Sequence, residues 1–210
     1  MVQNNIAVIR GDGIGIEVVE EGIKVLDAVS ENYDFELSFN EYPWSSKFYI
    51  DTGAMMPSDG LDILSNYDAI FLGAVGHPDI QDHITLNGLL LPIRRKFDQY
   101  VCERPSVLFD GIESPLSGKK PFDIDMVVIR ENTEGEYANV GGFQYMDFPE
   151  EVGIQTGIFT RKGCERVIRY SFELARRRNK KKHLTSITKS NAQGYGMLVW
   201  DRAFERISAE

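Results

Sequence analysis

Asn5-Ile-Ala-Val-Ile-Arg-Gly-Asp-Gly-Ile-Gly15 is where the fold is decided. Ile6 to Ile9 is a short continuous apolar run, the pattern of a strand buried on both faces. Gly11, Gly13 and Gly15 follow at once. Val18, Val19, Gly22, Val25, Leu26 and Val29 then recur at three- and four-residue intervals, which is a helical stripe. Strand, glycine turn and helix in that order open an α/β unit. Two readings of the glycines stand: a turn whose helix amides face an anion, or residues needed only to make the turn tight. The spacing is not the dinucleotide fingerprint Gly-x-Gly-x-x-Gly, and no acidic residue is read at the end of a clear second strand.

Outward from that stretch, Phe35, Leu37 and Phe39 alternate as in a second strand, and Tyr42 to Gly53 holds a short aromatic helix. Pro57-Ser58 starts another helix, and Asp68 to Ala74 reads as a further buried strand. Alternating strands and helices predict a largely parallel sheet, with ligands gathering beyond the carboxyl ends of the strands. Gly11 to Gly15 and Gly73 to Gly76 both lie there. Leu89 to Phe97 is helical, with Pro92 either in its first turn or kinking it. Ile124 to Ile129 is strand-like, Gly141-Gly142 and Gly153 punctuate hairpins, Gly163 to Arg178 is a helix, Leu184 to Ile187 a strand, and Met197 to Ile207 a last helix.

The 210 residues carry 42% hydrophobic and 26% charged side chains, enough for one large domain or two small ones with a real core. A net charge of −9 opposes general nucleic-acid binding, because phosphate backbones call for positive charge. The run Arg176 to Lys182 reads as a solvated helix end, where cations suit the dipole, rather than as a nucleic-acid patch. Two cysteines give neither a disulfide framework nor metal spacing. The N-terminus shows no leader, and no apolar run reaches membrane-span length, so the expectation is a cytoplasmic protein with no membrane partner.

Three arginines stand out: Arg94 on the 89–97 helix, Arg104 on the next strand, and Arg130 at the end of the strand-like run. Guanidinium grips carboxylates two bonds at a time, so three of them converging would receive a small di- or tricarboxylate; each alone is equally an ion-pair partner. Gly76-His-Pro-Asp-Ile-Gln-Asp-His83 matches no standard metal-ligand spacing and reads as a polar loop over the active face. Lys189, just past a strand, is a surface residue unless its surroundings give it work.

Several stretches together resemble the β-decarboxylating dehydrogenases, the isopropylmalate and isocitrate dehydrogenase family. They are Gly11-Asp-Gly-Ile-Gly15, Gly73-Ala-Val-Gly76, Leu89 to Arg95 with Arg104-Pro105, Arg130-Glu-Asn-Thr-Glu-Gly-Glu-Tyr137, and Lys189-Ser-Asn191. Asp82-His83, Leu91-Pro-Ile-Arg-Arg, Phe97-Asp-Gln-Tyr100, Tyr170-Ser-Phe-Glu-Leu-Ala175 and Lys182-His-Leu-Thr-Ser186 look like the branch of that family acting on tartrate and D-malate. Ile16 departs from the usual proline, and Asn87 stands where the branch tends to carry tryptophan. Glu103 replaces a usual leucine and is expected to set a carboxylate beside the arginines.

The resemblance implies an α/β, isopropylmalate dehydrogenase-like two-domain fold with largely parallel sheets and its C-terminal part missing. Residues 1–100 would form the N-terminal half of the first domain, on the cofactor side. Residues 101–210 would form an incomplete second domain with a dimerisation arm at about 137–160. If the chain ends at Glu210, exposed strand edges predict poor solubility or association.

It further implies NAD- and divalent-metal-dependent oxidation, with decarboxylation, of a 2-hydroxy dicarboxylic acid. Arg94, Arg104 and Arg130 would hold the carboxylates, with Leu89 and Leu90 shaping the substrate site. Lys189 would be the general base, acting across a homodimer, its ammonium disfavoured by neighbouring arginines. Tyr137 would be the general acid. Gly11, Asp12, Gly13, Ile14, Gly73, Ala74, Val75 and Asn191 would lie against NAD. Manganese or magnesium, with K+ in some members, would be held by aspartates lying beyond Glu210, so no metal ligand is expected in this chain. The alternatives are 3-isopropylmalate dehydrogenase, a non-catalytic remnant that only folds and dimerises, and a nucleotide-binding module resting on Gly11 to Gly15 alone.

Overall fold

The computed structural model describes residues 2–210. The chain packs as two units, Met1–Phe97 and Asp98–Glu210. In the first, β1 (Val2–Gly11) lies between β2 (Phe35–Glu41) and β3 (Ala69–Ala74), all parallel, with Ile6 opposite both Phe39 and Ala69. Ala7, Val8 and Ile9 are fully buried, as a central parallel strand covered on both faces requires. One face meets Trp44, Met55, Leu64, Leu89 and Ile93; the other meets Val19 on α1 (Ile14–Asn32), with Ile23, Leu37 and Phe71 around it.

The expected stripe on α1 merges two faces. Gly15, Val19, Gly22, Ile23 and Leu26 turn toward the sheet, while Val18, Val25 and Val29, with Ile14, stay exposed. Glycines set the phase. A side chain on Gly22 would begin 2.5 Å from the Phe71 ring, so only that face lets the helix settle onto β3.

The remaining helices of this unit follow their local signals. Ser45 caps α2 (Ser46–Thr52) by accepting from the Phe48 N–H, and Gly53 closes it with φ +81°. The expected start at Pro57-Ser58 shifts slightly, to α3 (Gly60–Leu64). The helix before Arg94 widens. Between α4 (Asp82–Thr85) and α5 (Leu91–Lys96), residues Leu86–Leu90 form a π-helical turn, with the Leu91 N–H reaching back to the Leu86 carbonyl. Pro92 explains this. It has no N–H for the Gly88 carbonyl and its ring would clash there, so the chain takes a wider turn.

The second unit holds two antiparallel pairs instead of further parallel sheet. β4 (Val101–Val107) pairs with β5 (Asp125–Glu131), and β6 (Gly135–Gln144) with β7 (Val152–Ile158). Neither connection carries the crossover helix that parallel strands need. Cys164, Val167 and Ile168 of α6 (Arg161–Arg178) pack with Ala203 and Ile207 of α7 (Gly196–Ser208), against Val101 and Ile129. The strand expected at Leu184 to Ile187 is absent. That segment runs with no strand beside it, and an unpaired run has no ladder to hold it as sheet. Among the described residues no helix is long and apolar enough to cross a membrane.

Candidate functional site

In the first unit the two glycine-bearing turns meet at the carboxyl ends of β1 and β3. Gly11 pairs with Ala74, and the Asp12 N–H donates to the Ala74 carbonyl at 2.7 Å. Gly11 has φ +72°, and a Cβ there would fall 2.0 Å from the Ala74 oxygen, so no other residue permits this approach. Asp12 ties three segments together. Its Oδ1 accepts from the Ser46 N–H at 2.9 Å, and its Oδ2 accepts from the Ser46 hydroxyl at 2.6 Å and the Gly76 N–H at 2.9 Å. Gly11, Asp12, Gly13 and Ile14 thus adjoin Gly73, Ala74 and Val75. Gly13 begins α1 with no side-chain cap, and Ile14 is exposed. The Gly15 and Ile16 N–H groups donate to the Asp12 and Gly13 carbonyls, at 2.9 and 3.2 Å, and a glycine turn at a helix N-terminus of this kind could hold the anionic part of NAD. The Asp12 carboxylate is engaged within the protein and acts by holding the loops.

An acid does end the second strand, contrary to the sequence reading. It is Glu41, and both its oxygens are gripped by Arg10, from Nε at 2.9 Å and Nη2 at 2.7 Å. That pairing holds the Glu41 carboxyl below its usual range and removes it as a ribose acceptor.

Arg94 stands half-buried in the last turn of α5. The Leu89 side chain is fully buried and belongs to the core cluster with Ile9, Trp44 and Met55. Leu90, half-buried, is the one of the pair that keeps solvent access.

The second unit gathers Arg104, Arg130 and Tyr137. Cys102 sits opposite Arg130 and Arg104 opposite Val128, so both arginines rise from one face of the β4–β5 pair as diagonal neighbours. The Arg130 guanidinium lies 5.2 Å from the centroid of the half-buried Tyr137 ring. Arg130 Nε is buried and makes no hydrogen bond within the protein. Arg166 Nε on α6 is in the same position, a buried N–H with no partner inside the protein. Glu103 does not join them. One residue from Arg104, it projects from the opposite face and accepts from the Tyr170 hydroxyl at 2.6 Å.

The stretch 130–137 assigns nearly every side chain a task. Glu131 folds back to accept from the Thr133 and Glu134 N–H groups, at 3.0 and 2.7 Å, and from the Thr133 hydroxyl. Asn132, 4% exposed, accepts from Arg130 Nη2 at 3.0 Å. The Thr133 hydroxyl accepts from Arg166 of α6 at 3.0 Å. Arg166 also binds Asp98 at 2.7 Å and lies 4.3 Å from the centroid of the Tyr100 ring. Glu134 holds the N–H and hydroxyl of Thr160, which caps α6. The structural duties of Asn132, Arg166 and Asp12 escaped sequence reading, because a polar letter in a motif does not say whether it faces a ligand or its own backbone.

Lys189 and Asn191 are exposed in a turn where the Lys189 carbonyl accepts from the Ala192 and Gln193 N–H groups. Among the described residues no group of three or more His, Cys, Asp or Glu side chains stands close enough together to hold a metal ion. The 76–83 loop is no exception.

Comparison with known proteins is consistent along the chain. The family described as isocitrate/isopropylmalate dehydrogenase matches residues 5–210. D-malate dehydrogenase [decarboxylating] of Escherichia coli (strain K12) is 52% identical over 205 residues, covering 97% of this chain and 56% of that protein. Tartrate dehydrogenase/decarboxylase of Pseudomonas putida is 48% identical over 206 residues, covering 97% and 56%. The crystal structure of isocitrate dehydrogenase from Methylococcus capsulatus superposes with a TM-score of 0.80 at 26% identity, over 98% of this chain and 57% of that one. The chain therefore spans somewhat over half the length of these relatives. With two glycine turns joined at one sheet end and an arginine–tyrosine cluster on a strand pair, it belongs to the isocitrate/isopropylmalate dehydrogenase family.

Proposed function

We propose that the protein takes part in oxidising a 2-hydroxy dicarboxylic acid, D-malate or a tartrate, at C2, with loss of carbon dioxide. The observation that carries this reading is the face shared by Arg104 and Arg130, with the Tyr137 ring against Arg130. Two guanidinium groups side by side suit a small molecule with two carboxylates. The identities to the tartrate and D-malate enzymes favour those substrates over 3-isopropylmalate.

In this reading Arg104 and Arg130 hold the carboxylates and orient C2, and Arg94 keeps the carboxylate-binding role that the resemblance implies. Lys189 takes the hydroxyl proton as the C2–hydrogen bond breaks, acting across a dimer. After the carbon–carbon bond to the leaving carboxylate breaks, the Tyr137 hydroxyl returns a proton to the carbon left behind. The Arg130 cation beside that ring offsets charge developing on the phenolate oxygen. NAD supplies the hydride acceptor. The β6–β7 hairpin is the proposed dimer contact, because Phe143, Phe148 and Ile154 are each about two-thirds exposed along it, at 67%, 64% and 60%.

The test is NADH formation from D-malate, L-tartrate, meso-tartrate and 3-isopropylmalate with manganese and potassium. Turnover on D-malate or a tartrate is expected, falling about 100-fold or more in Lys189→Ala. Turnover on 3-isopropylmalate alone, or an unimpaired Lys189→Ala variant, would refute the reading.

A further inference from the structure

We infer that Asn132 is a positioning residue that fixes the orientation of the Arg130 guanidinium. The inference rests on the proposed role of Arg130 as a carboxylate binder and adds how that role is prepared. Among the described residues Asn132 is one of three buried polar ones, with Ser46 and Thr85, and its bonds serve one corner. Its N–H donates to the Tyr100 carbonyl at 3.1 Å, and its Nδ2 donates to the Gln99 carbonyl at 3.1 Å. With Nδ2 anchored there, the side-chain amide cannot flip, and Oδ1 must face Arg130 Nη2 at 3.0 Å. Cys102 Sγ, 3.7 Å from the same nitrogen, adds a weak second acceptor. Tyr137 limits the guanidinium on its flat side.

Held at Nη2 and against one face, the group cannot rotate about its long side chain. Its buried Nε is presented in a constant direction. A carboxylate then meets a guanidinium plane already oriented, without the ordering that a free arginine must undergo on binding. A smaller or apolar residue at position 132 would keep the positive charge and lose its direction.

The experiment is nitrogen-15 NMR of arginine-labelled protein, with the Arg130 signals assigned through Arg130→Lys. Wild type is expected to show separate, slowly exchanging Arg130 Nη signals. In Asn132→Ala, rotation should speed up about tenfold or more, the loss expected for one charge-assisted bond. Asn132→Asp keeps an acceptor for Nη2 and loses the Gln99 anchor, so its Arg130 rotation should stay slower than in Asn132→Ala. If Asn132→Ala does not fold, Asn132→Ser, whose hydroxyl is too short to span to Nη2, carries the same readout. A folded variant whose Arg130 rotates as slowly as wild type would overturn the inference. Titrating meso-tartrate into wild type separates the two claims. Freed rotation in the variant, with no tartrate-induced shift of Arg130 in wild type, would leave the positioning role standing and sink the substrate reading.

Discussion

At the scale of single residues, neighbours in sequence part company in environment. Cys164 is 2% exposed between α6 and α7, and burial first, then the nearby Glu134 carboxylate, pushes its thiol up to about 11. Its folded form therefore keeps a proton that the unfolded chain gives up earlier. The resulting stability is fully present below the ordinary thiol range and is lost as pH rises toward 11. Iodoacetamide at pH 8 is expected to label the half-buried Cys102 and spare Cys164 until denaturant is added, as read by mass spectrometry. Glu103 supports a second prediction. Because its partner is Tyr170 on the far face, Glu103→Gln should leave carboxylate affinity within about twofold and shift stability by roughly 1 kcal/mol or less. A tenfold tighter grip on tartrate in that variant would show that Glu103 does sit among the arginines.

At the scale of elements, capping and close packing carry the argument. The Thr160 side chain accepts from the Gly163 N–H at the start of α6 and also bonds Glu134. Thr160→Ala should cost about 1–2 kcal/mol by urea unfolding, and should loosen the 131–134 turn. The π-turn ahead of Arg94 is tighter still. A Cβ on Gly88 would lie 2.6 Å from Met55 Cγ, with Met55 itself buried in the core. Gly88→Ala should therefore cost about 1–3 kcal/mol and move α5, seen as a lowered midpoint and a weakened substrate response.

At the scale of the molecule, exposed apolar surface is the leading feature. Val140, Phe143, Tyr145, Met146 and Phe148 lie open on the β6–β7 hairpin, well beyond what scattered surface residues would show. In the proposed dimer, replacing Phe143 and Ile154 with charged residues should yield monomers in sedimentation, while the helical circular dichroism stays unchanged. Monomers from the start would count against the hairpin as a contact. The net charge of −9 makes the local arginine pair more telling, since an acidic molecule must concentrate positive charge where it receives an anion.

What the sequence determined by itself was local. Apolar run, glycine turn and helix gave β1 and α1, the aromatic stretch from Tyr42 to Gly53 gave α2, and five ordered motifs gave the family. What only tertiary structure decided was direction. Period-two strands place Arg104 and Glu103 on opposite faces, but the letters do not say which face meets α6. Helical period marked the apolar residues of α1, yet the close approach of Gly22 to Phe71 chose which of them turned inward. Leu89 became core and Leu90 kept its access because a proline three residues after Leu89 widened the turn. Asn132 and Asp12 became braces because partners distant in sequence, at Gln99 and Gly76, came within hydrogen-bond reach. Hydrophobic period is written into neighbouring residues, whereas the partner of a polar side chain is set by chain segments that only folding brings together.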